Sequence, residues 1–352
     1  MKTPSSKHQH VKPEALISAV SRAESVLVTG HVRPDGDSLG CMIALAHLLN
    51  RAGINAVATG DRKGLGGPGF LSGVEKLLAP EKTAKRRFDL LISVDCGALD
   101  RMPETLQPLA EKTTVINIDH HRTNTQFGDL NWIDGKASST GEMIWRLAKK
   151  AGWKLDAIAA EALWVAVITD TGRFAYDQTT PTTLRCGADL LRYGVRTAFI
   201  NDKLYCSFSR TNIELKSRAF RTLTVDENNA IASVTLTGRD FEATDGTKAD
   251  AEDVIEIPRS LVGNRVALFF YGAEEDQAET RVSIRTRAPL DATLLARMFG
   301  GGGHSRAAGC TIHEPLVQAK RTFMKAVSEW LKAQSQQTPE PTTEEHGSCG
   351  QA

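Results

Sequence analysis

Residues 25–40 read SVLVTGHVRPDGDSLG. The apolar run Val26, Leu27, Val28 has the make-up of a buried strand and predicts one over 25–30. A polar loop follows, holding His31, Asp35 and Asp37. Ser38 is placed to cap the apolar run Leu39 to Leu49, which predicts a helix over 39–51. Three potential metal ligands therefore sit where a strand ends and a helix begins. In open α/β sheets that edge is where ligands bind. Imidazole with carboxylates is also a donor set for a divalent ion. Asp and Gly make turns as well, so this loop taken alone leaves both readings open.

The arrangement recurs downstream. Phe88 to Val94 (FDLLISV) is nearly all apolar and stops at Asp95. Val115 to Ile118 stops at Asp119, which His120 and His121 follow. Asp170 comes just after the apolar segment ALWVAVI. Runs without polar alternation predict parallel strands buried on both faces. A further strand at 55–59, and helices from Pro13 or Glu14, at 139–150, 156–168 and 180–193, complete a doubly wound, parallel-sheet α/β domain over 13–194. One acidic residue after a strand is ordinary capping. Four, each at the end of an apolar run, point to convergence. Carboxylates gathered in that way repel one another unless cations join them. Two divalent ions about 4 Å apart can activate water and clamp phosphoryl oxygens.

The chain has 352 residues, 41% of them hydrophobic, which suits two packed domains. Its formal net charge of +1 argues against a long nucleic-acid track or a polyanionic tail. Apolar runs are strand-sized, so no membrane-crossing helix is expected. The opening MKTPSSKHQHVKPEAL carries no apolar signal-peptide core, and a cytoplasmic location is expected. Cys41, Cys96, Cys186, Cys206, Cys310 and Cys349 form no CxxC pair, so neither a zinc knuckle nor a disulfide framework is expected. The glycine-rich stretch 60–73 predicts no element. Residues 195–218 read as a linker. A smaller α/β domain is expected over 219–333, with strands at 231–236, 265–271 and 280–286 and helices at 247–257, 291–299 and 315–332. Residues 1–12 and 334–352 lack apolar periodicity and are expected to be disordered. In the smaller domain, Gly300 to Gly303 precede His304. Such a run lets backbone approach a phosphate, and it reads equally as a connector. RVSIRTR sets Arg281, Arg285 and Arg287 on one strand face. His47 and the tryptophans Trp132, Trp145, Trp153 and Trp164 read as packing residues, and Cys96 lacks a base that would make it a nucleophile.

The ordered motifs GHVRPDGDSLG, VDCG, DHH and TDTGRF resemble the DHH phosphoesterase superfamily, and GGGHSRAAG, residues 301–309, resembles the glycine-rich motif of a DHHA1-type C-terminal domain. The likeness covers about residues 20–315 and is greatest to the NrnA-like small-oligonucleotide exonucleases and 3′-phosphoadenosine-5′-phosphate phosphatases. It implies a DHH domain and a smaller α/β DHHA1 domain with the active site between them. It implies two divalent metal ions, manganese by family precedent, with magnesium or cobalt also compatible. His31, Asp35 and Asp95 would hold the first, and Asp37, Asp95, His120 and Asp170 the second, with Asp95 bridging. Asp119 would orient a ligand, and His121 would face the scissile phosphate or leaving oxygen. Arg285, Gly301, Gly302, Gly303, His304 and Arg306 would bind substrate phosphate. The implied activity is hydrolysis of short oligonucleotides and of 3′-phosphoadenosine-5′-phosphate. Short single-stranded oligonucleotides and nucleotide phosphates are the expected partners, with no membrane, and a homodimer is compatible. The alternatives are hydrolysis of cyclic-dinucleotide products or pyrophosphate, or a non-catalytic nucleotide-binding module. The stretch DRKGLGGPGFLSG departs from the proline-rich loop of many relatives.

Overall fold

In the computed structural model the chain divides into two units, Met1–Ser207 and Phe208–Ala352. The structure describes residues 9–62, 65, 67–226, 228–272 and 279–337. The division falls inside the 195–218 stretch, which carries the helices Thr197–Asn201 and Arg210–Arg221 and a π-helical turn at Asp202–Cys206.

The first unit holds strands β1 (Gln9–His10), β2 (Ser25–Thr29), β3 (Asn55–Thr59), β4 (Leu90–Val94), β5 (Thr114–Asp119) and β6 (Leu130–Ile133). They form one sheet in the order β1-β6-β5-β4-β2-β3, with every pair parallel. Alternate residues of one strand feed different cores. Val26, Val28 and Ile92 join the larger cluster, while Leu27, Leu91 and Val115 join a second one. That is why β2 and β4 read as unbroken apolar runs.

Strand order places the chemistry. β3 lies on one side of β2 and β4 on the other, so the chain reverses its direction of travel across the sheet at β2 and β4. Crevices at such switch points, at the carboxyl ends of the strands, are where ligands bind in these folds. The loops leaving β2 and β4 carry His31 to Asp37 and Asp95. On the larger core's side, the helices Gly36–Arg51 and Ala157–Asp170 cross closely. A Cβ on Gly40 would overlap the Ala162 carbonyl, so only glycine allows this approach.

Several expectations need correction. Asp35, not Ser38, caps the helix after β2: its Oδ1 accepts from the Ser38 amide at 3.0 Å, and the helix begins at Gly36. Residues 9 and 10, expected in a disordered arm, pair with Leu130 and Asn131. The strand β6 was not foreseen. The C-terminal helix Leu316–Gln337 continues past 333, and residues 338–352 lie outside the described residues, as do 1–8.

In the second unit β7 (Thr224–Val225), β8 (Ile231–Thr237), β9 (Val266–Gly272), β10 (Thr280–Thr286), β11 (Gly302–His304) and β12 (Ala307–Ile312) form a sheet in the order β11-β12-β10-β9-β8-β7. Only β8 and β9 run parallel. The helix Leu316–Gln337 packs Phe323 and Val327 onto one face, and Arg210–Arg221 packs Leu215 and Ala219 onto the other. The helix expected over 247–257 is instead a 3-10 turn, Lys248–Ala251, and a short helix, Glu256–Arg259. The Asp250 carboxylate caps Thr247 at the first of these. Pro258 has no amide to continue a longer helix. Among the described residues, no helix is long and apolar enough to cross a membrane.

Candidate metal centre

Asp95 is the first residue past β4. Its backbone adopts φ 51°, in the left-handed region, where Asp and Asn are the commonest non-glycine residues. Its amide still continues the ladder to the Ile118 carbonyl at 3.0 Å. The turn faces the two carboxylate oxygens toward different neighbours. Oδ2 lies 3.7 Å from His31 Nε2, and Oδ1 lies 3.7 Å from His120 Nε2 and 3.7 Å from His121 Nδ1.

Three groups of donors converge here: His31 with Asp35 and Asp95; Asp37 with His120 and Asp170; and Asp95 with His120 and His121. Within each group the donor atoms lie within 4.8 Å of one another. Every residue expected as a metal ligand is thus brought into one place. Asp170 ends the helix Ala157–Asp170, with Oδ2 3.0 Å from His120 Nε2. His31 donates from Nδ1 to the Val32 carbonyl at 2.9 Å, which turns Nε2 toward the carboxylates.

Asp37 is fully buried. Its oxygens accept from the amides of Thr140 at 2.7 Å and Gly141 at 2.9 Å, and from the Cys41 thiol at 3.3 Å. Those amides open the helix Thr140–Ala151, capped by Ser139, whose Oγ accepts from the Glu142 amide. A helix N-terminus has unpaired amides and a partial positive charge, which suit a carboxylate. The Thr140 hydroxyl also donates to Asp95 Oδ1 at 3.2 Å. Nothing in Thr140 and Gly141 as residue types announces a cradle for Asp37, because the donors are backbone.

The electrostatics fit a cation. Burial, then the neighbouring Asp95 and Asp170, push Asp37 well above the usual carboxylate range. Burial and Asp35 bring Asp95 up to about 7 against the pull of His121 and His120. Burial opposes charge on His31, yet Asp35 and Asp95 raise it to about 9. In the same way Asp170, Asp37 and Asp95 raise His120 against its burial. Protons are here compensating a cluster of buried anions. A divalent ion with N and O ligands would do so more completely. The nearby thiols lie outside the three donor groups, and burial raises Cys41 strongly and brings Cys96 up to about 12.

Asp119 is buried and stands apart from the three groups. Oδ1 accepts from His121 Nδ1 at 2.6 Å, and Oδ2 from Asn124 Nδ2 at 2.5 Å. Burial would raise its carboxyl, but His121 and Asn124 hold it below the usual range.

The second unit holds the remaining expected residues. Arg281, Ser283 and Arg285 alternate with buried residues along β10. Arg285 lines a cavity of about 350 Å³ with Lys248, Tyr271 and Ser283. Gly300 and Gly301 line another, of about 600 Å³, with Arg281. The glycines split by cause. A Cβ on Gly301 would overlap the Gly309 carbonyl, and one on Gly303 would meet Ala307 and Ala308, so both are required by packing on β12. At Gly302 a Cβ would meet nothing within 4 Å. The Arg306 guanidinium donates to the Leu290 carbonyl. His304 ends β11, its backbone opposite Ala307, and its side chain is outside the described residues. His47, read as structural, bonds Asp156 at 2.9 Å.

Residues 25–171 match the model of the DHH family, N-terminal domain, and residues 229–333 match the DHHA1 domain. The bifunctional oligoribonuclease and PAP phosphatase NrnA of Bacillus subtilis is 30% identical, over 85% of this chain and 92% of the relative. Its namesake from Thermus thermophilus is 31% identical, over 87% and 90%. The chain belongs to the DHH/DHHA1 family, in its NrnA-like branch. A crystal structure of an exopolyphosphatase-related protein from Bacteroides fragilis shares the fold, with TM-score 0.84, 23% identity, and coverage of 92% of this chain and 97% of that one. Membership of the DHH/DHHA1 family, with the three donor groups, supports a metal-dependent phosphoesterase.

Proposed function

We propose that this protein hydrolyses short oligonucleotides to mononucleotides and removes a phosphate from 3′-phosphoadenosine-5′-phosphate, using two divalent ions, manganese first among them. One observation carries the reading: the two oxygens of Asp95 face different donor groups, His31 with Asp35 on one side and His120 on the other. A carboxylate set in that way is suited to bridge two ions. The NrnA relatives, named for both activities, support the choice of substrates. His31, Asp35 and Asp95 would hold one ion, and Asp37, Asp95, His120 and Asp170 the other. When bound, divalent ions supply Lewis acidity, lowering the pKa of water and neutralising phosphoryl charge.

The chain's own residues do the rest. The Thr140 and Gly141 amides fix Asp37 in orientation. Asp119 holds His121 by Nδ1, so that Nε2 meets the scissile phosphate or the leaving oxygen. Arg285 and His304 bind a substrate phosphate, arginine through its two-pronged donor geometry. A hydrolysis panel with added manganese tests this. Dinucleotides and 3′-phosphoadenosine-5′-phosphate should be turned over, and longer RNA, cyclic dinucleotides and pyrophosphate should be poor. Fast pyrophosphate turnover with inert dinucleotides would overturn the reading.

A further inference from the structure

Asn124 follows the paired histidines by three residues, and its amide sits at a junction. Nδ2 lies 2.5 Å from Asp119 Oδ2, 2.8 Å from Asn117 Oδ1 and 3.2 Å from the Cys96 carbonyl. Oδ1 accepts from the Gln126 amide at 2.6 Å, and the Asn124 amide donates to the His121 carbonyl at 3.1 Å. Asn117 is fully buried on β5, and its own Nδ2 donates to the Cys96 carbonyl at 3.1 Å. Cys96 is the residue after Asp95. One side-chain amide therefore joins the turn past β4, the end of β5 and the loop carrying His120 and His121.

The geometry points to Asn124, backed by Asn117, as a positioning residue for His121. The assignment rests on the reading of His121 as the group that meets substrate. A carboxylate bonded through one oxygen only can swing about its own axis. Asp119 is gripped at both, by His121 on Oδ1 and Asn124 on Oδ2, and it lies in a buried setting where both bonds are strengthened. The ring of His121 is then fixed in direction, with its proton-bearing Nδ1 committed to Asp119. The same amide tethers the carbonyl next to Asp95, so one residue keeps His121 and Asp95 in register. The turn bond from Gln126 to Oδ1 is a separate, local task. A serine hydroxyl can take that over, because Ser makes the same kind of turn contact. It is too short to reach Asp119.

The test compares Asn124→Ser and Asn124→Ala with the full-length wild type. In metal-free protein, the proton in the short His121–Asp119 bond should give a strongly deshielded, exchangeable NMR resonance, identified by its loss in His121→Ala. We expect it to vanish in both Asn124 variants, while Asn124→Ser melts close to wild type. In manganese, kcat on a dinucleotide should fall about 10–100-fold, the usual effect of losing a partner that orients a site residue, with KM within about twofold. A folded Asn124→Ser that keeps both the resonance and kcat overturns the assignment. So does a fall in kcat with the resonance retained. A wild-type protein inert toward every phosphoester would overturn the functional reading instead, and the resonance would still decide whether Asn124 holds His121.

Discussion

Asp95 shows how far a single residue can be read. Its carboxylate was legible only in company, because four acidic residues each end an apolar run and carboxylates gathered together need a cation. Its left-handed backbone, which costs about 1–2 kcal/mol, was not legible, since only tertiary structure decides which way the carboxylate turns. The histidines and aspartates of the site were read in the same manner. Their supports, the Thr140 and Gly141 amides and the Asn117–Asn124 pair, were not, because backbone donors and buried amides carry no residue signature. If Asp95 faces both donor groups as the distances indicate, Asp95→Ala should weaken both ions together and abolish turnover. Each affinity should drop by more than the 10–100-fold typical for losing an outer partner of a ligand. Calorimetric titration of manganese into wild type and variant checks this, and two ions bound normally in the variant would sink the bridging role.

Two contacts seat the helix Ala157–Asp170, whose last residue enters the site. The first is its crossing with Gly36–Arg51, where Gly40 meets the Ala162 carbonyl. Gly40→Ala must push the helices apart against backbone, so it should cost about 1–3 kcal/mol, read from the urea midpoint at unchanged slope. The second is Arg196, whose Nε and Nη2 donate to Glu161 at 2.6 and 2.8 Å. This bond, against burial, lowers the Glu161 carboxyl below its usual range. A carboxyl lowered on folding stabilises above its unfolded pKa, about 4.3, and loses that contribution as pH falls through the folded value. Glu161→Gln should therefore cost at most about 1 kcal/mol at pH 7, discounted because Arg196 is half-exposed, and less at pH 3, below the unfolded pKa. Thermal melts at the two pH values check this, and an equal deficit at both would rule out the ion pair as its source. At this scale the central strands were legible because burial on both faces writes an unbroken apolar run. β6 was not. It has four residues, and Asn131 within it spends its side chain on both backbone groups of Gly128, which breaks the pattern. β1 pairs through backbone alone and leaves both its residues exposed, so no periodicity could reveal it.

At the scale of the whole molecule, charge sets a limit on what can bind. The 43 basic and 42 acidic residues leave a net charge of +1, so affinity for a polyanion must come from a few local cations. On the second unit's sheet, Arg281, Arg285 and the nearby Lys248 line the two cavities. Three cations can neutralise two or three phosphates. For a single strand each such contact contributes about −0.7 to the slope of log affinity against log salt. If those three are the cations that contact the strand, the slope should be shallow, about −1.4 to −2.1, and it should not steepen with chain length. A longer strand adds ordering cost without added contacts. Oligonucleotides of two to five residues should then have higher kcat/KM than a twenty-four-residue strand, with the same salt slope for both. A length series in manganese at several ionic strengths measures both quantities. If kcat/KM rises with length and the slope steepens in parallel, an extended track for the strand exists on this protein, and the short-substrate reading is wrong.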